Sequence, residues 1–135
     1  MNLGIVVACD GDWNDPELQI SGSQVALLNL GRILSTLKGS FVFESEALGD
    51  TVYPIQIGAV FLNLDVDGGD LLNVSVNNNA LEIFGNHTAF RKLGESLTNF
   101  FDGDIDIGEH FQLDYYQGNQ ILCETSCHLI FLCDK

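Results

Sequence analysis

The sequence predicts an α+β fold: two tandem ββαββ repeats with pseudo-two-fold symmetry, whose mainly antiparallel curved sheet carries two helices on one face. Three observations lead there. Residues 18–34 (LQISGSQVALLNLGRIL) and 81–97 (LEIFGNHTAFRKLGESL) align without a gap at an offset of 63, with seven of 17 positions identical; about one identity is expected by chance at ordinary residue usage. Both copies pass from strand-like alternation to helical spacing at the same point. At that point each carries a residue of the helix-capping set, Ser23 in one and Asn86 in the other. The identities fall on Leu, Ile, Ala and Gly, so they speak for backbone path and packing and hardly at all for chemistry.

Taken in order, residues 3–9 (LGIVVAC) read as an opening strand, the turn-rich stretch 11–16 (GDWNDP) as a connection, and residues 17–21 as a second strand. A helix over residues 24–38 aligns Ala26, Leu27, Leu30, Ile33, Leu34 and Leu37; a second over residues 87–101 aligns Ala89, Phe90, Leu93, Leu97, Phe100 and Phe101. Gly31 and Gly94 lie on those apolar faces. Each costs its helix about 1 kcal/mol relative to alanine, which points to a close backbone approach. Residues 41–46 lead through Leu48, Gly49 and Asp50 to a return segment ending at residues 57–65, where Pro54 and Gly58 mark a break in pairing. Residues 71–76 and 80–84 restart the pattern across Asn77, Asn78 and Asn79. Residues 109–116 and 120–125 flank the turn signal Gln117-Gly118-Asn119 and predict a hairpin. The last strand, 128–133 (HLIFLC), is apolar on both faces and therefore central.

A chain of 135 residues fits one domain, with repeat 1 over residues 1–66 and repeat 2 over 70–135, each too small to stand alone. Nineteen acidic residues against five basic ones give a formal net charge of −14. Each half carries −7: nine acids and two bases in residues 1–67, ten and three in residues 68–135. The acidity is thus spread over the surface, where it serves solubility or meets a basic protein partner. It disfavours nucleic acid and anionic membrane, because no basic patch exists to release counterions. No apolar run reaches the roughly 18 residues that a span needs, and the N-terminus lacks the basic opening of a secretory signal. A bacterial-type cytoplasm follows by elimination. Cys9, Cys123, Cys127 and Cys133 are expected as free, mostly buried thiols in a reducing compartment, because Cys123 and Cys127 on one strand stand about 13 Å apart.

Candidates for chemistry are few. Asp102, Asp104 and Asp106 resemble the start of a calcium loop, but Ile107 replaces its glycine and Leu113 its bidentate glutamate. Asp65, Asp67 and Asp70 form a shorter cluster. These six aspartates are read as solvated loop residues and as partner-binding candidates; no metal and no cofactor is expected. If residues 109–125 form a hairpin, His110 faces Cys127 and Asp114 faces Cys123, the parts of a nucleophilic site. Open-face polar residues are the plainer reading, with Phe111, Leu113, Tyr115 and Leu122 turned into the core. His87, in the first turn of a helix, reads as an exposed cap-region residue. Trp13 in the acidic turn reads as closing the sheet's end or as a binding anchor. No phosphate loop, nucleophile elbow, HExxH or CxxC motif occurs, so no catalytic residue is assigned. A small-ligand site or enzyme in a cleft between the repeats is the alternative.

The run Leu81-Glu82-Ile83-x-Gly85, the helix containing Leu93 and Leu97, then Glu109 to Tyr115 and Ser126-x-His128-Leu129-Ile130-Phe131 resembles small α+β immunity proteins of bacterial polymorphic-toxin systems. The resemblance covers mainly residues 81–132. It implies a non-enzymatic antitoxin that blocks a cognate toxin, and it transfers no contact residues. The duplicated layout departs from it.

Overall fold

A computed structural model describes residues 1–47 and 53–135, so the expected turn at Leu48, Gly49 and Asp50 lies outside the described residues. The elements run β1 (Val6–Cys9), β2 (Glu17–Gly22), α1 (Gln24–Ser35), β3 (Phe41–Glu44), β4 (Ile55–Gln56), β5 (Ala59–Leu64), β6 (Asn73–Asn77), β7 (Ala80–Gly85), α2 (His87–Phe101), β8 (His110–Leu113) and β9 (His128–Cys133). The fold is α+β, as the alternation of strand-like and helix-like periods requires.

The helices begin where capping chemistry places them. Ser23 Oγ accepts the Ala26 N–H at 3.1 Å and Asn86 Oδ1 accepts the Ala89 N–H at 2.9 Å, each satisfying one of the orphan donors of a first turn. The first helix ends at Ser35, three residues short of the expected limit, where the Thr36 N–H closes on Arg32 O. Thr36 Oγ1 takes the same carbonyl, and the propagating ladder stops there. His87 is exposed in the first turn of α2.

The single curved sheet gives way to two. One is ordered β4-β1-β2-β9-β8 and the other β3-β5-β7-β6. Pairings are mostly antiparallel, but each sheet has one parallel pair. Strand β2 runs beside β9 from Glu17↔His128 to Gly22↔Cys133, and β5 beside β7 from Ala59↔Ala80 to Leu64↔Gly85. The first hairpin of each half therefore joins strands from the other half. Strand period fixes which face a residue takes but not which strand it pairs with, and parallel pairs need long crossovers. Period alone is thus silent on the division. The expected break at Gly58 is where the chain changes sheet: β4 pairs with β1, the Ile57 N–H donates to Val7 O and the Gly58 N–H to Asn79 O, and β5 then pairs with β7.

Each sheet carries one helix, α1 against β2 and β9 and α2 against β7, and the two helices pack on each other. They run antiparallel, since Gly31 meets Thr98 while Gly94 meets Ser35. One continuous core joins the layers, with Leu18, Leu27, Leu81, Phe90, Leu93, Leu129 and Phe131 almost fully buried. The final strand is central, between β2 and β8, as its apolar character requires. Among the described residues no helix is long and apolar enough to cross a membrane.

Candidate binding site

The hairpin expected over residues 109–125 is not formed. A turn does close at residues 116–119, with the Asn119 N–H on Tyr116 O. However, β8 pairs with β9, so His110 faces Leu132 and Leu113 faces Leu129. Residues 120–125 turn away to bridge Leu72↔Leu122. Neither expected thiol pairing survives. Cys127 is buried and donates its N–H to Val74 O, while Cys123 Sγ lies against the hydroxyls of Thr125 (3.4 Å) and Ser126 (3.5 Å). Burial works to raise the Cys123 pKa, and the two hydroxyls outweigh it and lower it. No described hydrogen bond joins a cysteine to a histidine. Leu113 and Leu122 are in the core as expected, Phe111 is half-buried, and Tyr115 is not, being exposed. All four cysteines are free.

Asp114, released from that hairpin, helps to build a different site. The ladder of β8 and β9 ends at Leu113↔Leu129, which leaves Asp114 level with His128. Register in the parallel pair puts Glu17 beside His128 from the other flank. The β1–β2 turn then folds over the end of the sheet. Asp10 Oδ1 accepts the N–H groups of Asp12 (3.0 Å) and Glu17 (3.3 Å), and Asp12 Oδ1 accepts those of Asn14 (3.2 Å) and Asp15 (3.3 Å). These are the self-bonding turns that aspartate favours. Gly11 sits at φ +89°, a conformation glycine adopts without strain.

The result is a concavity of about 390 Å³ lined by Asp10, Asp12, Asp15, Glu17, Gln112, Asp114 and His128. Five of those seven are acidic. His128 is bonded on both ring nitrogens, Nδ1 to Asp114 Oδ1 at 2.9 Å and Nε2 to Asp15 Oδ1 at 2.8 Å. Burial pulls its pKa down, but the bonds to Asp114 and Asp15 and their charges prevail, so the pKa lies above its ordinary value. Both ring nitrogens thus face carboxylate oxygens, an arrangement that favours the protonated ring. Glu17 accepts a hydrogen bond from the Tyr53 hydroxyl; burial first, then that carboxylate, push the tyrosine pKa up. Trp13 stands 55% exposed on the same turn, which favours the anchor reading over the closing one.

A raised histidine pKa stabilises the fold below the unfolded value near 6.5, and that stabilisation is lost as pH rises through the folded value. Urea unfolding is therefore expected to show stability falling by about 0.5–1 kcal/mol between pH 6 and 8, discounted for the partly exposed site. His128→Gln should flatten that slope. An equal slope in the variant would show that the two bonds do not hold the proton.

The six aspartates expected as partner contacts are exposed, and they divide between two places. Asp65, Asp67 and Asp70 lie before the first turn of α2, where Asp70 Oδ1 accepts from Asn86 Nδ2 at 2.6 Å and Asp65 Oδ1 from the Asp67 N–H at 3.0 Å. Asp102, Asp104 and Asp106 follow its last turn. A 15-residue helix separates the clusters by about 22 Å, so they do not form one patch. Among the described residues no group of three or more His, Cys, Asp or Glu side chains is placed to hold a metal ion. No family model matches the chain, and no curated protein or solved structure does so either.

Proposed function

We propose that the chain is a non-enzymatic, acidic protein-binding module of a bacterial-type cytoplasm, which docks a basic protein in the way an immunity protein neutralises a toxin. The observation that carries this reading is the concavity around His128. Five carboxylates line it, two of them bonded to the His128 ring, and an exposed Trp13 stands on the turn that supplies three of the five. A lysine or arginine of a partner meets complementary charge at that place, and the net charge of −14 steers such a partner towards it. Nucleic acid and anionic membrane meet repulsion instead. Four free thiols agree with a reducing compartment. A gene duplication underlies the architecture in this reading. Support comes from the 63-residue offset that relates β2 to β7 and the start of α1 to that of α2, and from the matched parallel registers of the two sheets.

The test is affinity capture from the cells that make the chain, followed by measured binding of the recovered protein. A basic partner is expected, held at low salt, with affinity falling at least about tenfold between 0.05 and 0.5 M salt. Asp12→Asn combined with Asp15→Asn, which keeps hydrogen-bonding shape and removes two charges, should weaken it by about fivefold or more. Recovery of no basic protein at low salt, or of one indifferent to salt, overturns the proposal.

A further inference from the structure

Among the described residues the concavity continues into a strand edge with no strand paired on its outer side. Of the four sheet edges, β3 is tied at Glu44, whose N–H donates to Met1 O, and β4 has only two residues. Strand β6 is covered by the segment before β9, through Cys127 N–H to Val74 O and Val74 N–H to Ser126 Oγ. Among the described residues that leaves β8, which pairs with β9 alone. Cys133 donates to Glu109 O, so alternation along an antiparallel ladder turns the N–H and C=O groups of His110 and Gln112 outward, away from β9. An edge of this kind is a template for another strand.

The surroundings of β8 specify what kind of strand. Its core side continues through half-buried Phe111 into Phe100, which is 39% exposed and meets Phe111 edge-on at 5.6 Å. On the open side stand exposed His110 and Gln112, and Gln112 Nε2 donates to Asp114 Oδ2. Carboxylates flank both ends, Asp106 and Glu109 before β8 and Asp114 after it. A second copy of this chain does not suit the edge. Pairing two β8 strands brings the acidic flanks of both copies together, Asp106, Glu109 and Asp114 of each, and chains of net charge −14 repel one another.

We infer that β8 is the docking edge for the basic partner, which adds an extended segment with apolar residues towards Phe100 and Phe111 and cationic residues towards Asp114 and the His128 concavity. The inference rests on the binding function proposed above and gives it a mode: main-chain bonds for affinity, alternate side chains for specificity.

The probe is a ten-residue peptide alternating lysine and valine, titrated into the intact chain at low salt and followed by amide exchange. His110 and Gln112 amides are expected to slow at least about tenfold on saturation, with the chain remaining monomeric. Methylating the peptide amides along one strand edge should abolish binding, and methylating those along the other should spare it, a control that leaves the protein untouched. Protection confined to residues of the 10–17 turn overturns the edge and leaves the binding function standing. Protection of His110 and Gln112 that rises with protein concentration before any peptide is added identifies a second copy as the occupant and also overturns it. Absence of all binding at low salt overturns both.

Discussion

Gly94→Ala is expected to lower the midpoint of thermal unfolding by about 10 °C, corresponding to about 2–3 kcal/mol of lost stability. The sign runs against helix propensity, since alanine is the better helix former by about 1 kcal/mol. The reason is the crossing of the two helices. A Cβ built on Gly94 falls 2.5 Å from Gly31 O and 2.6 Å from the Ser35 nitrogen. Both are backbone atoms, which move only if α1 moves. Gly31 is the milder case: its added Cβ meets the Thr98 methyl at 2.8 Å and Gly94 O at 3.0 Å, and a methyl can rotate aside. Ser35→Ala should not rescue the Gly94 variant, because the backbone contacts remain. Urea and thermal denaturation of the three variants decide the matter; a Gly94→Ala chain as stable as the parent would mean that the helices do not cross there.

Phe131→Ala is expected to cost about 3–5 kcal/mol, a large share of the roughly 5–15 kcal/mol that holds a domain together. Phe131 is 1% exposed on the central strand β9 and meets Phe111 edge-on, with centroids 6.2 Å apart; Phe111 in turn meets Phe100. The loss therefore runs from the core to the β8 edge. Amide exchange in β8 should quicken along with global unfolding. The adjacent Leu132 faces the other way and is only half-buried, so Leu132→Ala should cost about 1 kcal/mol. Comparable losses at both positions, measured by urea unfolding, would show that the alternation along β9 has been read in the wrong phase.

How much of this was legible beforehand depends on whether the cause was local. Caps and helix faces are local: Ser23 and Asn86 start their helices, and α2 keeps its expected bounds. The two glycines point to a close approach because nothing else explains a glycine in the middle of an apolar face. Partners along a ladder are not local. The turn at residues 117–119 is real, yet the strands beside it find other neighbours, β9 for one and Leu72 for the other. The role of His128 is hidden for the same reason. It looks like the polar first residue of an apolar strand, and its two carboxylates stand 14 and 113 positions away. Only the parallel register of β2 and β9 brings the acidic turn at residues 10–15 over it, and no periodicity announces that register. The alternation of β8 places Asp114 on the open side, but the turn signal pairs it with Cys123, whereas its neighbour in the fold is His128.

The exchange of strands between halves also bears on how the chain is made. Strand β2 has no parallel neighbour until residues 128–133 exist, so a ribosome that has produced only the first half has released nothing able to close its sheet. Folding must wait for nearly the whole polypeptide, and contacts so distant in sequence form slowly. Throughout that interval the nascent segment exposes Val, Leu and Phe from unfinished strands. The seven surplus negative charges already present in residues 1–67 repel like segments on neighbouring polysomes during the wait, and so guard against premature aggregation.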